Sequence, residues 1–438
     1  MSTAALAVAM SASAEPHATA PAAPFDTSAG LRYGALGLPL AFLALPLYVT
    51  LPSHYATHFG VSLATLGLVL LATRALDAAL DPFIGAAVDR LFARSNQAAG
   101  WIASLAALVV EAGFVGLFFP PVAPRGRVPW LAICLILTYS AFSVLTVIYQ
   151  AWGSRLGGDA VQRSRIVAWR EGFGLIGVLI ASVLPTLMGM AVTSTVLAIT
   201  LALGVALLMA APSAPCASRP LNTPHSDWAL PWRNPRFRSL LAIFMLNGIA
   251  TAVPATLVLF FVRDRIQAPA WEPYFLLAYF AAAATSVPLW VRAVGRFGLS
   301  AAWLSGMGMA MGVFAWGFTL GPGDSRGFMA VCVVSGIALA ADLAIPGALL
   351  TGTIQRAGHR GLAEGVYLGW WNSANKLNLA LAAGAVLPLL ALAGYAPGQR
   401  DPQALQALSI AYVVVPCVLK TLAAALLWRC RSTFESDA

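Results

Sequence analysis

Five residues recur at helical spacing within the segment RALDAALDPFIGAAVDR. They are Arg74, Asp77, Asp81, Gly85 and Asp89, separated by three, four, four and four positions. A helix with this spacing carries all five on one face. Asp77 and Asp81 then lie about 6 Å apart along the helix axis. Two carboxylates this close repel each other when both are ionised, so a cation, a proton or Arg74 must relieve the repulsion.

Pro82 adds a second feature to this helix. Because proline has no backbone N–H, the carbonyl of Ala78 loses its helical donor. A freed carbonyl beside two carboxylates would complete an oxygen cage for Na⁺. The alternative is a structural Arg–Asp network that braces neighbouring helices. The spacing favours the ion site, because an ionisable group at the bilayer centre costs about 2.5–3.5 kcal/mol and generally marks an ion path.

The composition identifies a polytopic membrane protein. Of 438 residues, 59% are hydrophobic and 10% are charged, whereas soluble domains carry about 25% charged residues. The net charge of +9 does not indicate nucleic-acid binding, because the arginines are distributed over short loops between apolar runs. The scattered cysteines predict neither a disulfide framework nor a metal site.

Apolar runs of about 20 residues span a bilayer as helices, and the sequence contains twelve. We predict them near 32–55, 62–89, 98–120, 129–153, 164–187, 191–211, 237–262, 273–294, 299–320, 327–352, 363–392 and 405–428. The polar connector 212–235 separates them into six plus six. The predicted fold is therefore an all-α membrane protein with two six-helix bundles, the major-facilitator architecture. The domains are a disordered cytoplasmic tail (1–30), the two bundles (31–211 and 236–429), the linker and a cytoplasmic tail (430–438).

Arginines predict the orientation. Most of them, including Arg90, Arg155 and Arg292, fall on the side of the linker, and few fall on the other side. The positive-inside rule therefore places both termini in the cytoplasm and the protein in the inner cell membrane.

The sequence resembles one branch of the major facilitator superfamily, the glycoside–pentoside–hexuronide:cation symporters. Four stretches carry the likeness: YGALGLPLAF, RALDAALDP, YQAWGSRLGGDAVQRSRIVAWREGFG and AEGVYLGWWNSANKLNLALAAG. The segment from Gly85 to Arg90 is similar to the superfamily's GxxxDR signature loop. The resemblance implies symport of a solute with Na⁺, Li⁺ or H⁺ by alternating access.

The resemblance also implies roles for individual residues. Its cation site falls on Asp77, Asp81, Ser143 and Thr146. The cytoplasmic gate falls on Gly85, Asp89 and Arg90. Donors and aromatic faces expected near the solute are Tyr149, Gln150, Arg170, Trp371, Asn372 and Lys376. Lys376 has an alternative role, which is pairing with Asp77 or Asp81 across the two halves.

Several positions depart from the family pattern. The two aspartates that bind sugar in melibiose-type members are replaced by Pro39 and Thr146, and the stacking tryptophan is replaced by Gln150. A galactoside is therefore not expected. Arg170 and Lys376, with fewer opposing carboxylates, favour a small polar or anionic solute.

The leading prediction is a cation-coupled symporter, and the alternative is a proton-coupled exporter or an uncoupled facilitator. An enzyme or a membrane sensor is disfavoured, because the sequence has no nucleophile motif, metal spacing or signalling domain. No cofactor is predicted, and the partners are the solute, the coupling ion and the lipid bilayer. Glu111, Asp342 and Lys420 receive no role, although the last two could neutralise each other.

Overall fold

The computed structural model describes residues 25–61, 63–213, 227–395, 398 and 400–435. Twelve helical segments of membrane-spanning length make up most of these residues. In chain order they are α1 (Thr27–Gly34, Gly37–Leu45 and Leu51–Phe59), α2 (Leu63–Arg94), α3 (Asn96–Phe118), α4 (Arg127–Leu156), α5 (Ala160–Pro185), α6 (Leu187–Met209), α7 (Pro235–Phe260), α8 (Glu272–Phe297), α9 (Leu299–Gly317), α10 (Ser325–Arg356), α11 (Glu364–Leu392) and α12 (Pro402–Ser409 and Val415–Glu435).

The helices agree with the predicted all-α membrane fold. Within the described residues, ten helices have the length and apolar composition of a membrane span. The other two, α2 and α11, are 32 and 29 residues long and carry the aspartates and the lysine of the predicted cation site. The chain is thus a multi-pass membrane protein, and the residues expected to do chemistry lie on two of its long helices.

The helix ends differ from the predicted domain boundaries. The α1 helix begins at Thr27, inside the predicted tail, because the Asp26 carboxylate accepts a hydrogen bond from the Ala29 N–H at 2.7 Å and caps the helix. The last helix continues to Glu435, beyond the predicted bundle end. The rest of the predicted N-terminal tail (1–24), most of the linker (214–226) and residues 436–438 lie outside the described residues.

The helices pack as two bundles. The first bundle contains α1 against α5, α2 against α4, and α3 against α4, whereas the second contains α8 and α9 against α10, and α12 against α7. Between the bundles, α2 and α4 contact α11, and α5 contacts both α8 and α10. The loops that follow α2, α4, α6, α8 and α10 lie at one end of the molecule, which we call the linker face.

Glycines allow the bundles to meet closely near the linker face. A Cβ atom on Gly85 of α2 would lie 2.0 Å from the carbonyl oxygen of Gly365 of α11. A Cβ on Gly369 would lie 2.4 Å from the carbonyl oxygen of Asp81. Both distances are shorter than a Cβ atom can approach another atom. Only glycine therefore permits this backbone contact between the bundles.

Candidate functional site

A cluster of four polar side chains joins the two bundles in the middle of the molecule. The Lys376 ammonium of α11 lies 2.7 Å from Asp77 Oδ2 and 2.8 Å from Asp81 Oδ2. It also donates to Ser143 Oγ at 2.8 Å, and that hydroxyl donates to Asp77 Oδ1 at 2.8 Å. Both carboxylates are buried, with 3% and 0% of their side chains exposed. The structure therefore brings three of the four predicted cation-site residues together around one lysine.

The cluster depends on helix α2 and on the crossing of α11. Four positions separate Asp77 and Asp81, so the carboxylates point the same way one turn apart. The Lys376 ammonium lies between the two carboxylates and offsets the repulsion between them. The Arg74 guanidinium instead lies over the Tyr139 ring, 4.7 Å from the ring centroid.

The carbonyl freed by Pro82 does not complete an oxygen cage. The Ala78 carbonyl accepts a hydrogen bond at 2.8 Å from the hydroxyl of Ser373, which lies on α11. The donor that proline removes is thus replaced by a side chain from the other bundle. This carbonyl therefore joins α2 to α11.

A cavity of about 260 Å³ adjoins the cluster. It lies between the two bundles, and the linker-face contact closes the molecule on one side of it. Its polar lining consists of Arg74, Asp77, Tyr139, Ser143, Thr146, Gln150, Asn372, Asn375 and Lys376. The polar atoms of that lining with no hydrogen-bond partner among the described residues include Thr146 Oγ1, Gln150 Oε1 and Asn372 Nδ2. Buried polar atoms are normally paired, so these three are available to a bound solute or to water.

Arg170 lies in a separate, smaller space. It lines a cavity of about 20 Å³ nearer the linker face, together with Gln150 and Trp371. Its guanidinium donates to the neighbouring Glu171 at 2.7 Å. Glu171 thus neutralises the charge of Arg170 in this space. Gln150 lines both spaces.

Two predicted solute-binding residues make packing contacts. The Tyr149 side chain is 1% exposed, and its hydroxyl donates to the Gly34 carbonyl of α1 at 3.1 Å. The Trp371 ring stacks on Phe244 of α7 with centroids 3.8 Å apart. Neither residue lines the larger cavity.

Asp89 connects the bundles at the linker face. Its carboxylate accepts from the backbone N–H groups of Gly365 and Val366 at 2.6 and 2.9 Å, at the beginning of α11. A carboxylate at a helix N-terminus is stabilised by the unpaired N–H groups and the helix dipole. Arg90, which the sequence places in the same gate, has an exposed side chain. Of the predicted gate residues, Asp89 thus joins the two bundles by capping a helix of the other bundle.

Other arginines form the cross-bundle contact that sequence reasoning missed. Arg360 donates to the carbonyls of Arg155 and Leu156 at 2.9–3.2 Å. Arg155 in turn donates to the Gly361 carbonyl at 3.3 Å. The sequence showed these residues only as positive charges that set the orientation, and no spacing linked positions 205 residues apart.

Asp342 and Lys420, the charged residues of the second bundle to which the sequence assigned no role, form a buried network. Lys420 of α12 lies 2.8 Å from Asp342 of α10 and donates to Asn247 of α7 at 2.7 Å. The other carboxylate oxygen of Asp342 accepts from Trp303 of α9 at 2.9 Å. Asp342 and Lys420 thus neutralise each other and tie four helices together. In the first bundle, Glu111 accepts from Ser194 at 2.8 Å.

Lys420→Met is expected to lower the free energy of unfolding by about 3 kcal/mol, because the Asp342 carboxylate loses its buried counter-charge. Denaturant titration in detergent micelles measures this change. The double variant Lys420→Met/Asp342→Asn should recover most of the loss, since no unpaired charge remains. Equal stability of the parent and the single variant would show that the pair contributes nothing.

Comparison with known proteins identifies the family. A family model described as MFS/sugar transport protein matches residues 31–433. The chain belongs to this family. The transporter is therefore not an enzyme, as the sequence predicted, and the resemblance recognised from its motifs is confirmed.

Two curated relatives from Escherichia coli (strain K12) match part of the transporter. The inner membrane symporter YicJ is 27% identical over 130 residues, which is 30% of the transporter and 28% of YicJ. The putative glycoside/cation symporter YagG is 25% identical over 145 residues, which is 33% of the transporter and 29% of YagG. The aligned segments thus span less than a third of either relative.

Solved structures confirm the fold. A bacterial homologue of the iron transporter ferroportin, in an outward-facing state, has a TM-score of 0.64 at 15% identity and covers 92% of the transporter and 99% of its own chain. The proton:xylose symporter XylE has a TM-score of 0.61 at 14% identity and covers 92% and 94%. At these identities the likeness concerns the fold alone, which is the predicted major-facilitator architecture.

Proposed function

We propose that the protein is a secondary active transporter that carries a small polar or anionic solute together with Na⁺, Li⁺ or H⁺. It acts in the inner cell membrane, with the linker face and both termini in the cytoplasm, as the distribution of arginines favours. The names of the curated relatives, a symporter and a putative glycoside/cation symporter, support cation coupling.

One observation carries this proposal: the Lys376 ammonium lies between two buried carboxylates of the other bundle. An ammonium group and a small monovalent cation need the same environment, which is negative charge and oxygen donors. The two therefore compete for Asp77, Asp81 and Ser143. A cation or proton that enters the cluster lowers its attraction for Lys376 and releases the lysine.

This competition links ion binding to movement of the bundles. The aspartates lie on α2 of the first bundle, and Lys376 lies on α11 of the second. The same two helices meet at the linker face, where Asp89 caps α11. A change in charge at the cluster therefore alters the free energy of the interface that must open and close during alternating access.

The lining of the larger cavity supports a polar or anionic solute. It contains the guanidinium of Arg74 and the side-chain amides of Gln150, Asn372 and Asn375. A Lys376 that leaves the carboxylates would add a second positive charge to this wall. The carboxylate acceptors that galactoside hydroxyls need are few, because Asp77 and Asp81 are the acidic groups nearest the cavity and are already paired with Lys376.

Thermal unfolding of the purified protein in Na⁺, Li⁺ and K⁺ at several pH values tests the coupling ion. A cation that binds only the folded protein stabilises it by about 2.7 kcal/mol at one hundred times its dissociation constant. We expect Na⁺ or Li⁺ to raise the melting temperature, and we expect Asp77→Asn and Asp81→Asn to abolish the effect. Asp227→Asn, which removes a surface carboxylate at the linker face, is the matched control and should keep it.

Two other outcomes of the same experiment would indicate proton coupling or a purely structural aspartate pair. A response to pH alone that both variants lose would assign coupling to protons. The absence of any response to these cations or to pH would make the aspartate pair structural and would overturn the proposed coupling.

A further inference from the structure

A groove of about 770 Å³ lies between α5 and α8, on the side of the molecule rather than in the central cavity. It joins the two bundles, since α5 belongs to the first and α8 to the second. Its lining includes Arg165, Trp169 and Phe173 of α5 and Val287, Val291 and Arg292 of α8. None of them lines the larger cavity or belongs to the lysine–aspartate cluster.

The walls of the groove are apolar and open. Trp169 and Phe173 are stacked with centroids 6.2 Å apart on α5, and Val287, Pro288 and Val291 lie opposite on α8. A Cβ atom added at Gly172 would meet no atom within 4 Å, so none of the described residues fills this space. The Ile176 side chain is 45% exposed. These surfaces suit a hydrocarbon chain rather than a polar solute.

Two arginines stand at the linker-face end of the groove. Arg165 lies five residues from the beginning of α5, and Arg292 lies five residues from the end of α8, so both lie about 7.5 Å inside their helix ends. Both side chains are exposed. Among the described residues, neither forms a side-chain ion pair or hydrogen bond. The one carboxylate at the rim, Asp26, is engaged as the cap of α1.

We propose that this groove binds one anionic phospholipid of the leaflet at the linker face. The phosphate lies between Arg165 and Arg292, and an acyl chain follows the apolar walls toward the membrane centre. Charge complementarity selects this ligand, because two guanidinium groups that have no partner in the described part of the chain lie above an apolar groove, and this arrangement matches an anionic headgroup above an acyl chain. From Arg165 to Ile176 the groove extends about 16 Å along α5, which accommodates much of one chain.

The bound lipid would favour the closed linker face. It contacts α5 and α8 at once, and those helices also meet beyond the groove, where a Cβ atom on Gly295 of α8 would lie 3.5 Å from Val161 of α5. When the linker face opens, the two walls and the two arginines separate. The assignment of this leaflet to the cytoplasm and the opening of the linker face rest on the proposed function, whereas the lipid site itself does not.

Thermal unfolding in detergent with added phosphatidylglycerol or phosphatidylcholine tests the site. We expect phosphatidylglycerol to stabilise the parent protein at lower concentrations than phosphatidylcholine. Each arginine near an anionic lipid surface changes binding about fivefold, so Arg165→Gln/Arg292→Gln should raise the half-effective phosphatidylglycerol concentration about 25-fold. Arg296→Gln, which removes another arginine near the same end of α8 but outside the groove, should change it little.

A second variant tests the apolar part of the groove without changing charge. Gly172→Leu places a side chain in the open space and should abolish the lipid effect while the protein still folds. Equal responses of the parent, the double arginine variant and Gly172→Leu would overturn the proposal. A phosphatidylglycerol effect that appears only after residues 1–24 are deleted would also overturn it, because the tail would then be the normal occupant.

The Asp77→Asn variant separates this proposal from the proposed function. It removes a coupling-site carboxylate far from the groove and should respond to phosphatidylglycerol as the parent does. A lost cation response with a retained lipid response in this variant supports both proposals independently. A retained cation response with no lipid response in the parent overturns the lipid site alone.

Discussion

Lys376→Met is expected to lower the free energy of unfolding by about 5 kcal/mol, because two buried carboxylates lose the charge that neutralises them. This loss exceeds the one expected at Lys420, where a single carboxylate is left unpaired. The variant should also lose coupled transport, since no lysine remains to be displaced by the ion. Denaturant titration in detergent and cation-driven uptake into proteoliposomes measure the two effects.

The control for Lys376→Met removes all three charges. In the triple variant Asp77→Asn/Asp81→Asn/Lys376→Met, no unpaired charge is buried, so the free energy of unfolding should return toward that of the parent. Solute transport by the triple variant should be uncoupled from the cation, as in Lys376→Met. Parent-like stability of Lys376→Met alone would contradict the neutralising role that the geometry gives this lysine.

Gly85→Ala is expected to reduce transport roughly 100-fold by preventing closure of the linker face. Its methyl group would lie 2.0 Å from the Gly365 carbonyl oxygen, and a clash with backbone atoms cannot be relieved by a rotamer change. A cost of about 3 kcal/mol in the closed state lowers its population by roughly two orders of magnitude. Spin labels at the exposed positions Arg94 and Arg296 should report a longer distance across the linker face.

Gly67→Ala is the matched control for this prediction. It makes the same substitution on the same helix, but the added Cβ would meet no atom within 4 Å. Transport and the label distance should therefore stay close to the parent's. If both alanine variants behave alike, helix propensity rather than contact between the bundles decides the effect.

Much of the fold follows from the sequence alone. Charged residues are scarce, and apolar runs of about 20 residues recur along the chain. Only a bundle of membrane-spanning helices can remove so many apolar side chains from water. The stripe on α2 was also predictable, because the geometry of a single helix fixes which side chains share a face. The polar linker after α6 indicated the division into two bundles.

Contacts between helices were decided by the tertiary structure. The sequence offered Arg74 and Lys376 as counter-charges for the aspartates, and the crossing of α11 over α2 places the lysine between them. In the same way, Ser373 reaches the carbonyl that Pro82 leaves free, and Lys420 meets Asp342 across 78 positions.

The physical reason is the range of each interaction. Helical periodicity and hydropathy act over a few residues, so they can be read along the chain. The partner of a buried charge depends on how two helices rotate and cross, and packing over the whole bundle sets that geometry. The sequence by itself therefore predicted which residues are candidates for the chemistry, whereas the tertiary structure decided which of them meet.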